Sequence, residues 1–211
     1  ALFHSGTSLA PRGWAAPRAT PAQEDEFDIA LDKARLHFNR RNYEEALKFY
    51  KRANKLKGEH CADCLWGMAQ TYSKLGADKN VIETCERLVP AAGSDNEMVA
   101  KAHNLKGITL SSMAMENMEK PDTKKLGEAE TAFRKTLEAS AGAKIAHFNL
   151  GITLIRLKRE EEGLRELKAY VEDADDDSEY VEEARKMIEN PRRARENFAP
   201  DFTVTTADGE Y

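Results

Sequence analysis

The sequence predicts an all-α chain, a solenoid of about four stacked helical hairpins closed by a C-terminal capping helix. The first observation behind this is a recurring spacing. Ala46, Tyr50 and Ala53 set a small-x3-aromatic-x2-small pattern that returns with substitutions at Val81, Cys85 and Leu88, at Ala129, Phe133 and Thr136, and at Gly163, Leu167 and Tyr170. The second is the step between equivalent positions: 35 residues from Ala46 to Val81, 48 to Ala129, and 34 to Gly163. A fixed period of about 34 residues is the signature of a repeat architecture. The third is composition. Hydrophobic residues make up 41% of the 211, charged residues 33% and aromatics 8%, which suits helices with large solvated faces.

Residues 1–22, rich in Ala, Pro, Gly, Ser and Arg and lacking periodicity, read as a disordered, linker or targeting segment. The repeat domain then spans residues 23–190. Repeat 1 covers about 27–60, with Ala34 and His37 on its first helix. Repeat 2 covers about 62–93, with Ala69, Tyr72 and Gly76 on its first helix. Repeat 3 covers about 97–141 and carries Leu105 and Gly107; Ser94-x-x-Glu97 reads as a capping box before it. The long 48-residue step puts extra residues at PAAGSDNE, between repeats, and at SSMAMENMEKPDTKK, inside repeat 3. Repeat 4 covers about 144–175, with Leu150, Gly151 and Leu154. A cap helix follows over 177–189, where Asp176 and Glu179 can cap its start, Tyr180, Val181, Ala184 and Ile188 share one side, and Pro191 ends it. Each hairpin has an apolar face that only its neighbour can cover, so the units must stack and the last one needs a cap.

On these residues, segment 27–170 resembles the tetratricopeptide repeat family. The resemblance implies that first helices line an inner face that holds extended peptides. By repeat register, that face takes Arg35, Trp66, Gln70, Lys101, Asn104, Ile108, Phe148 and Ile152 as partner-binding candidates. The carboxylate clamp of chaperone-binding members needs paired Lys and Asn on successive repeats. Only Lys101, Asn104 and Asn149 suggest it, and Leu31 stands where a Lys would be. The apolar group Phe148, Ile152 and Ile155 either meets a partner or lies under the cap helix, and the second is preferred because the cap must pack somewhere.

Other motifs have plainer readings beside the sharp ones. Cys61-Ala-Asp-Cys64 is a Cys-x-x-Cys that could be a redox pair or half a zinc site with His60 and Cys85, and a Cys64–Cys85 disulfide is also conceivable. Three small buried hydrophobes explain the same cysteines and are favoured. Leu65 in place of His excludes haem attachment. Asp173, Asp175 and Asp177 have the opening spacing of a calcium loop, but Ser178 and Ala184 replace its Gly and closing Glu. His103 and His147 fall at equivalent repeat positions, which argues packing. No phosphate-binding glycine loop or metal set is assigned, and no cofactor is expected. The net charge of −5, with interspersed signs, argues against nucleic acid. No run approaches 18 apolar residues, so no membrane span is expected.

The closing ENFAPDFTVTTADGEY departs from the helical pattern. Phe202 and Val204 alternate with Thr203 and Thr205, and Asp208-Gly209 is a hairpin signal. With Ala199, Pro200, Asp201 and Phe202, it resembles the opening of redoxin-type thioredoxin-like domains, the thiol–disulfide oxidoreductase and peroxiredoxin-like group. The resemblance, together with the N-terminal segment, implies a bacterial protein that is periplasmic or secreted, with a cytoplasmic location as the alternative. It also implies that residues 191–211 are a linker and the first strand of a redoxin domain cut short. The expected function is a protein–protein interaction module, non-enzymatic in itself, that docks a protein or peptide partner for a thiol–disulfide protein. A redox or zinc protein using Cys61, Cys64 and Cys85, and a structural oligomer of stacked repeats, are the alternatives. The oligomeric state is left open.

Overall fold

The computed structural model describes residues 21–174 and 179–195, and among these every regular element is helical. The helices are α1 (Pro21–Asn39), α2 (Tyr43–Leu56), α3 (Ala62–Lys74), α4 (Asp78–Ala92), α5 (Asn96–Ala114), α6 (Thr123–Ala139), α7 (Ile145–Arg156), α8 (Glu160–Asp173) and α9 (Glu179–Glu189). A 3-10 turn, Pro191–Ala194, follows α9. The pairs α1/α2, α3/α4, α5/α6 and α7/α8 form antiparallel hairpins, and α2/α3, α4/α5 and α6/α7 join each hairpin to the next. Sequence neighbours are spatial neighbours throughout, as a quasi-one-dimensional stack requires.

Small residues set the approach of the helices. A Cβ built on Gly67 of α3 would lie 2.3 Å from the Tyr50 ring of α2, and one on Gly107 of α5 would lie 2.6 Å from the Phe133 ring of α6. In the last hairpin two glycines face each other. A Cβ on Gly163 would meet the Gly151 carbonyl oxygen at 2.6 Å, so here backbone packs on backbone. The larger partners are themselves buried: Tyr50 6% exposed, Phe133 1% and Leu167 0%. Tyr50, Phe133 and Leu167 share one repeat register, and each fills a hollow that a glycine leaves.

The hairpin turns repeat as well. Gly76 has φ +67°, and Ala77 N–H donates to the Tyr72 carbonyl at 2.9 Å. The same left-handed turn occurs one repeat earlier at Arg41 (φ +60°) and in the last repeat at Lys158 (φ +65°). There Asn42 N–H donates to the His37 carbonyl and Arg159 N–H to the Leu154 carbonyl, both at 2.9 Å. This is the helix C-terminal motif that glycine serves best, yet only one of these three turns has glycine. Repeat 3 differs. Its first helix continues to Ala114, and the added residues form a loop in which Asp122 N–H donates back to the Ala114 carbonyl at 2.9 Å. Asp122 then caps α6, accepting from the N–H groups of Lys124 and Lys125.

The structure corrects three local expectations. The cap of α5 is Asp95, whose carboxylate accepts from Met98 N–H at 3.0 Å, and not Ser94. Both residues offer an oxygen three positions before a backbone donor, and the tight Asn96 N–H to Ser94 carbonyl contact sets the register one residue later. The favoured reading of three small buried hydrophobes holds only for Cys85, and the conceived Cys64–Cys85 bridge is not formed: Cys64 is bonded to Cys61, and Cys85 is free. Helix α1 begins at Pro21, inside the segment read as disordered. The proposed caps Asp176 and Glu179, the acidic positions Asp175 and Asp177, and the strand of 199–211 lie outside the described residues or have undescribed side chains.

The core forms in three blocks along the stack. The first runs from Ala30 and Leu31 through Leu65 and Leu88 to Leu105. The middle block gathers Leu110, Ala129, Phe133, Leu150 and Leu154. The last joins Phe148, Ile152, Ile155 and Leu167 to Val181, Ala184 and Met187 of α9 and to Ala194.

Candidate functional site

A pocket of about 640 Å³ opens on the face of the first helices. Its size falls within the range of small-ligand and side-chain pockets. Trp66 of α3 forms one side and the N-terminal half of α5, with Ala100, Lys101 and Asn104, forms the floor. The end of α6 and the loop into α7, from Ala139 to Ile145, close the far side. This gap between repeats is where the loop Ser140–Lys144 replaces helix.

The polar atoms of the pocket are held in place. Lys101 Nζ pairs with Glu97 at 2.8 Å, one helical turn away. Asn149 Nδ2 donates to Asn104 Oδ1 at 3.3 Å, tying α7 to α5. Asn149 is only 4% exposed, so it orients Asn104 from beneath. With its oxygen engaged, the Asn104 amide nitrogen has no partner among the described residues. The pocket therefore combines an indole wall, an amide donor and an ammonium–carboxylate pair. Such a set can hold an apolar side chain while hydrogen bonding an extended backbone beside it.

The structure brings together three of the sequence-predicted residues, Trp66, Lys101 and Asn104. The others do not line that pocket. Arg35 is exposed on α1, Gln70 is half-buried on α3, and Ile108 packs against the middle block of core. Phe148 (0% exposed) and Ile152 (3%) lie beneath α9. The Phe148 ring sits 5.3 Å from that of Tyr170 and 5.5 Å from that of Tyr180. In this arrangement the cap helix covers them.

Two features escaped sequence reasoning. The far wall of the pocket comes from the Ala139–Ile145 connection, which carries no periodic signal. Arg156 ends α7, where its Nε donates to the Ala194 carbonyl at 2.9 Å and its Nη1 to Ser111 Oγ at 3.3 Å. Burial lowers its pKa to about 10. It fastens the 3-10 turn to the inner face, and nothing in its spacing distinguished it from a surface arginine.

His147 Nδ1 lies 2.7 Å from Glu166 Oε2, joining α7 to α8. Burial, then Lys135 and Lys106, hold His103 below the ordinary histidine range. Among the described residues, no group of three His, Cys, Asp or Glu side chains is placed to hold a metal ion. No described helix is long and apolar enough to cross a membrane.

No protein-family model matches the chain, and no curated protein matches it by sequence. Solved structures do. A crystal structure of MamA aligns with a TM-score of 0.62 at 13% identity, covering 81% of this chain and 88% of that one. Another MamA crystal structure gives 0.60 at 15% identity, over 72% and 80%. The tetratricopeptide repeat protein TTC0263 of Thermus thermophilus gives 0.57 at 16% identity, over 80% and 86%. At such low identity the likeness is one of fold, and the fold of the described helices is that of a tetratricopeptide repeat solenoid.

Proposed function

We propose that this chain is a protein–protein interaction module whose inner face docks an extended polypeptide across α3 and α5. The observation that carries this reading is the pocket in which Trp66, Lys101 and Asn104 converge. A bound segment inserts one apolar side chain against Trp66 and gives a backbone carbonyl to the Asn104 amide. The rest of the expected inner face contributes less, because α9 already covers Phe148 and Ile152. The module itself has no catalytic role in this reading.

The experiment is a random peptide library displayed on phage and panned against the folded chain. Recovered peptides are expected to lose roughly tenfold or more in affinity for Trp66→Ala and for Asn104→Ala, while both variants keep the helical circular dichroism of the parent at the assay temperature. Failure to recover any binder, or peptides indifferent to both substitutions, overturns the reading.

The proposal extends to the partner's chemistry. The resemblance of residues 199–209 to a redoxin opening supports a module that presents its partner to a thiol–disulfide domain, in a periplasmic or secreted bacterial protein. The test is the encoded sequence beyond Tyr211. A Cys-x-x-Cys after the next strand is expected, and a continuation without one, or none at all, removes this part.

A further inference from the structure

We propose that Cys61 and Cys64 are an exchangeable redox pair, a disulfide that trades electrons with a dithiol through the Cys61 sulfur. This does not rest on the peptide-docking reading. The two cysteines are bonded and only two residues separate them. A disulfide stabilises by restricting the unfolded chain, and the restriction grows with the loop closed. So short a loop makes this a poor staple.

The segment is also fixed without the bond. Cys61 N–H donates to Asn54 Oδ1 at 3.1 Å, and Leu65 N–H donates to the Cys61 carbonyl at 2.9 Å. Loss of the bond leaves both in place.

The sulfurs differ in access. Cys61 is the N-cap of α3 and is only partly buried, whereas Cys64 is fully buried one turn inside. Cys64 N–H donates to Cys61 Sγ at 3.1 Å. The start of a helix carries partial positive charge and favours a thiolate there, so Cys61 is positioned to carry negative charge when reduced. Cys85, the third cysteine, is 1% exposed, and burial pushes its thiol up to about 12, so it stays protonated and does not compete.

The exchange has two steps. A thiolate of the partner dithiol attacks Cys61 Sγ, the Cys61–Cys64 bond breaks, and Cys64 leaves as a thiolate that takes up a proton. The partner's second thiolate then attacks the partner sulfur of the mixed disulfide and expels Cys61 as a thiolate facing the Cys64 N–H. The partner loses two electrons and ends as a disulfide; the pair gains them and ends as two thiols. Run backward, the reduced pair reduces a partner disulfide, with Cys61 attacking first.

The test uses the folded chain and two probes, dithiothreitol and oxidised glutathione. Under dithiothreitol, two thiols are expected to appear together by maleimide labelling and mass, with the helical circular dichroism unchanged. In Cys64→Ser, Cys61 is expected to take up glutathione roughly tenfold or more faster than Cys64 does in Cys61→Ser. Equal rates in the two variants overturn the proposal. So does reduction that proceeds only in step with loss of helix, a measurement on the unmodified chain that stands even if a variant fails to fold.

Discussion

Adding one methyl group at two glycines should change stability in opposite directions. In Gly163→Ala the new Cβ would stand 2.6 Å from the Gly151 carbonyl oxygen and 2.6 Å from Ile155 Cγ1, with the Ile155 nitrogen at 3.1 Å. Ordinary contact begins near 3.4 Å, so α7 and α8 must separate by several tenths of an ångström. Two of the three obstacles are backbone atoms and cannot rotate away. Overpacking of this kind costs about 1–3 kcal/mol. The better helix propensity of Ala returns at most about 1 kcal/mol. With the full propensity gain subtracted, the net is about 0–2 kcal/mol of destabilisation, or a melting temperature lower by up to about 8 °C for a chain of this size. Gly127, inside α6, has nothing within 4 Å of the same added atom. Gly127→Ala should keep the propensity gain alone, about 0.5–1 kcal/mol, and melt about 1–4 °C higher. The assay is thermal and urea unfolding followed by circular dichroism, with the denaturant midpoint shifting at constant slope. A Gly163→Ala protein that melts above the parent temperature refutes the backbone-on-backbone contact. A Gly127→Ala protein that melts lower refutes the open space assigned there.

Further outcomes follow from the turns and the buried thiol. Lys158 has φ +65° at an exposed helix end, so Lys158→Gly should raise stability by about 0.5 kcal/mol in the same melts. A loss instead would mean the side chain contributes more than its strained backbone costs. The Cys85 thiol has a folded value of about 12 against an ordinary 9.0. A raised value means the fold favours the protonated form, so this contribution is complete below about pH 9 and fades as pH climbs toward about 12. Unfolding free energy should therefore fall less steeply over that window in Cys85→Ala than in the parent, and parallel curves would contradict the burial.

What the sequence determined by itself is what repetition can express. Ala46, Tyr50 and Ala53 and their counterparts fixed the helical class, the period and the pairing, because each pattern reports which side of a helix must be covered. Gly107, Gly151 and Gly163 were legible for the same reason: close approach needs a missing side chain wherever the pattern puts a large residue opposite. Phe148 and Ile152 stood at inner-face positions, and their register could not choose between a partner and the cap helix. Only the packing of Val181, Ala184 and Met187 over them decided it. Likewise the pocket depends on Trp66, Asn104 and the Ala139–Ile145 connection, three places far apart in sequence. The cysteine pairing was a tertiary matter too. Cys85 lies in the hairpin partner of Cys64, yet the shortest loop, closed at the start of α3, is the one that formed. Local periodicity specifies how a helix turns its faces; the distance between faces belongs to the whole stack, because it is set by which side chains meet there.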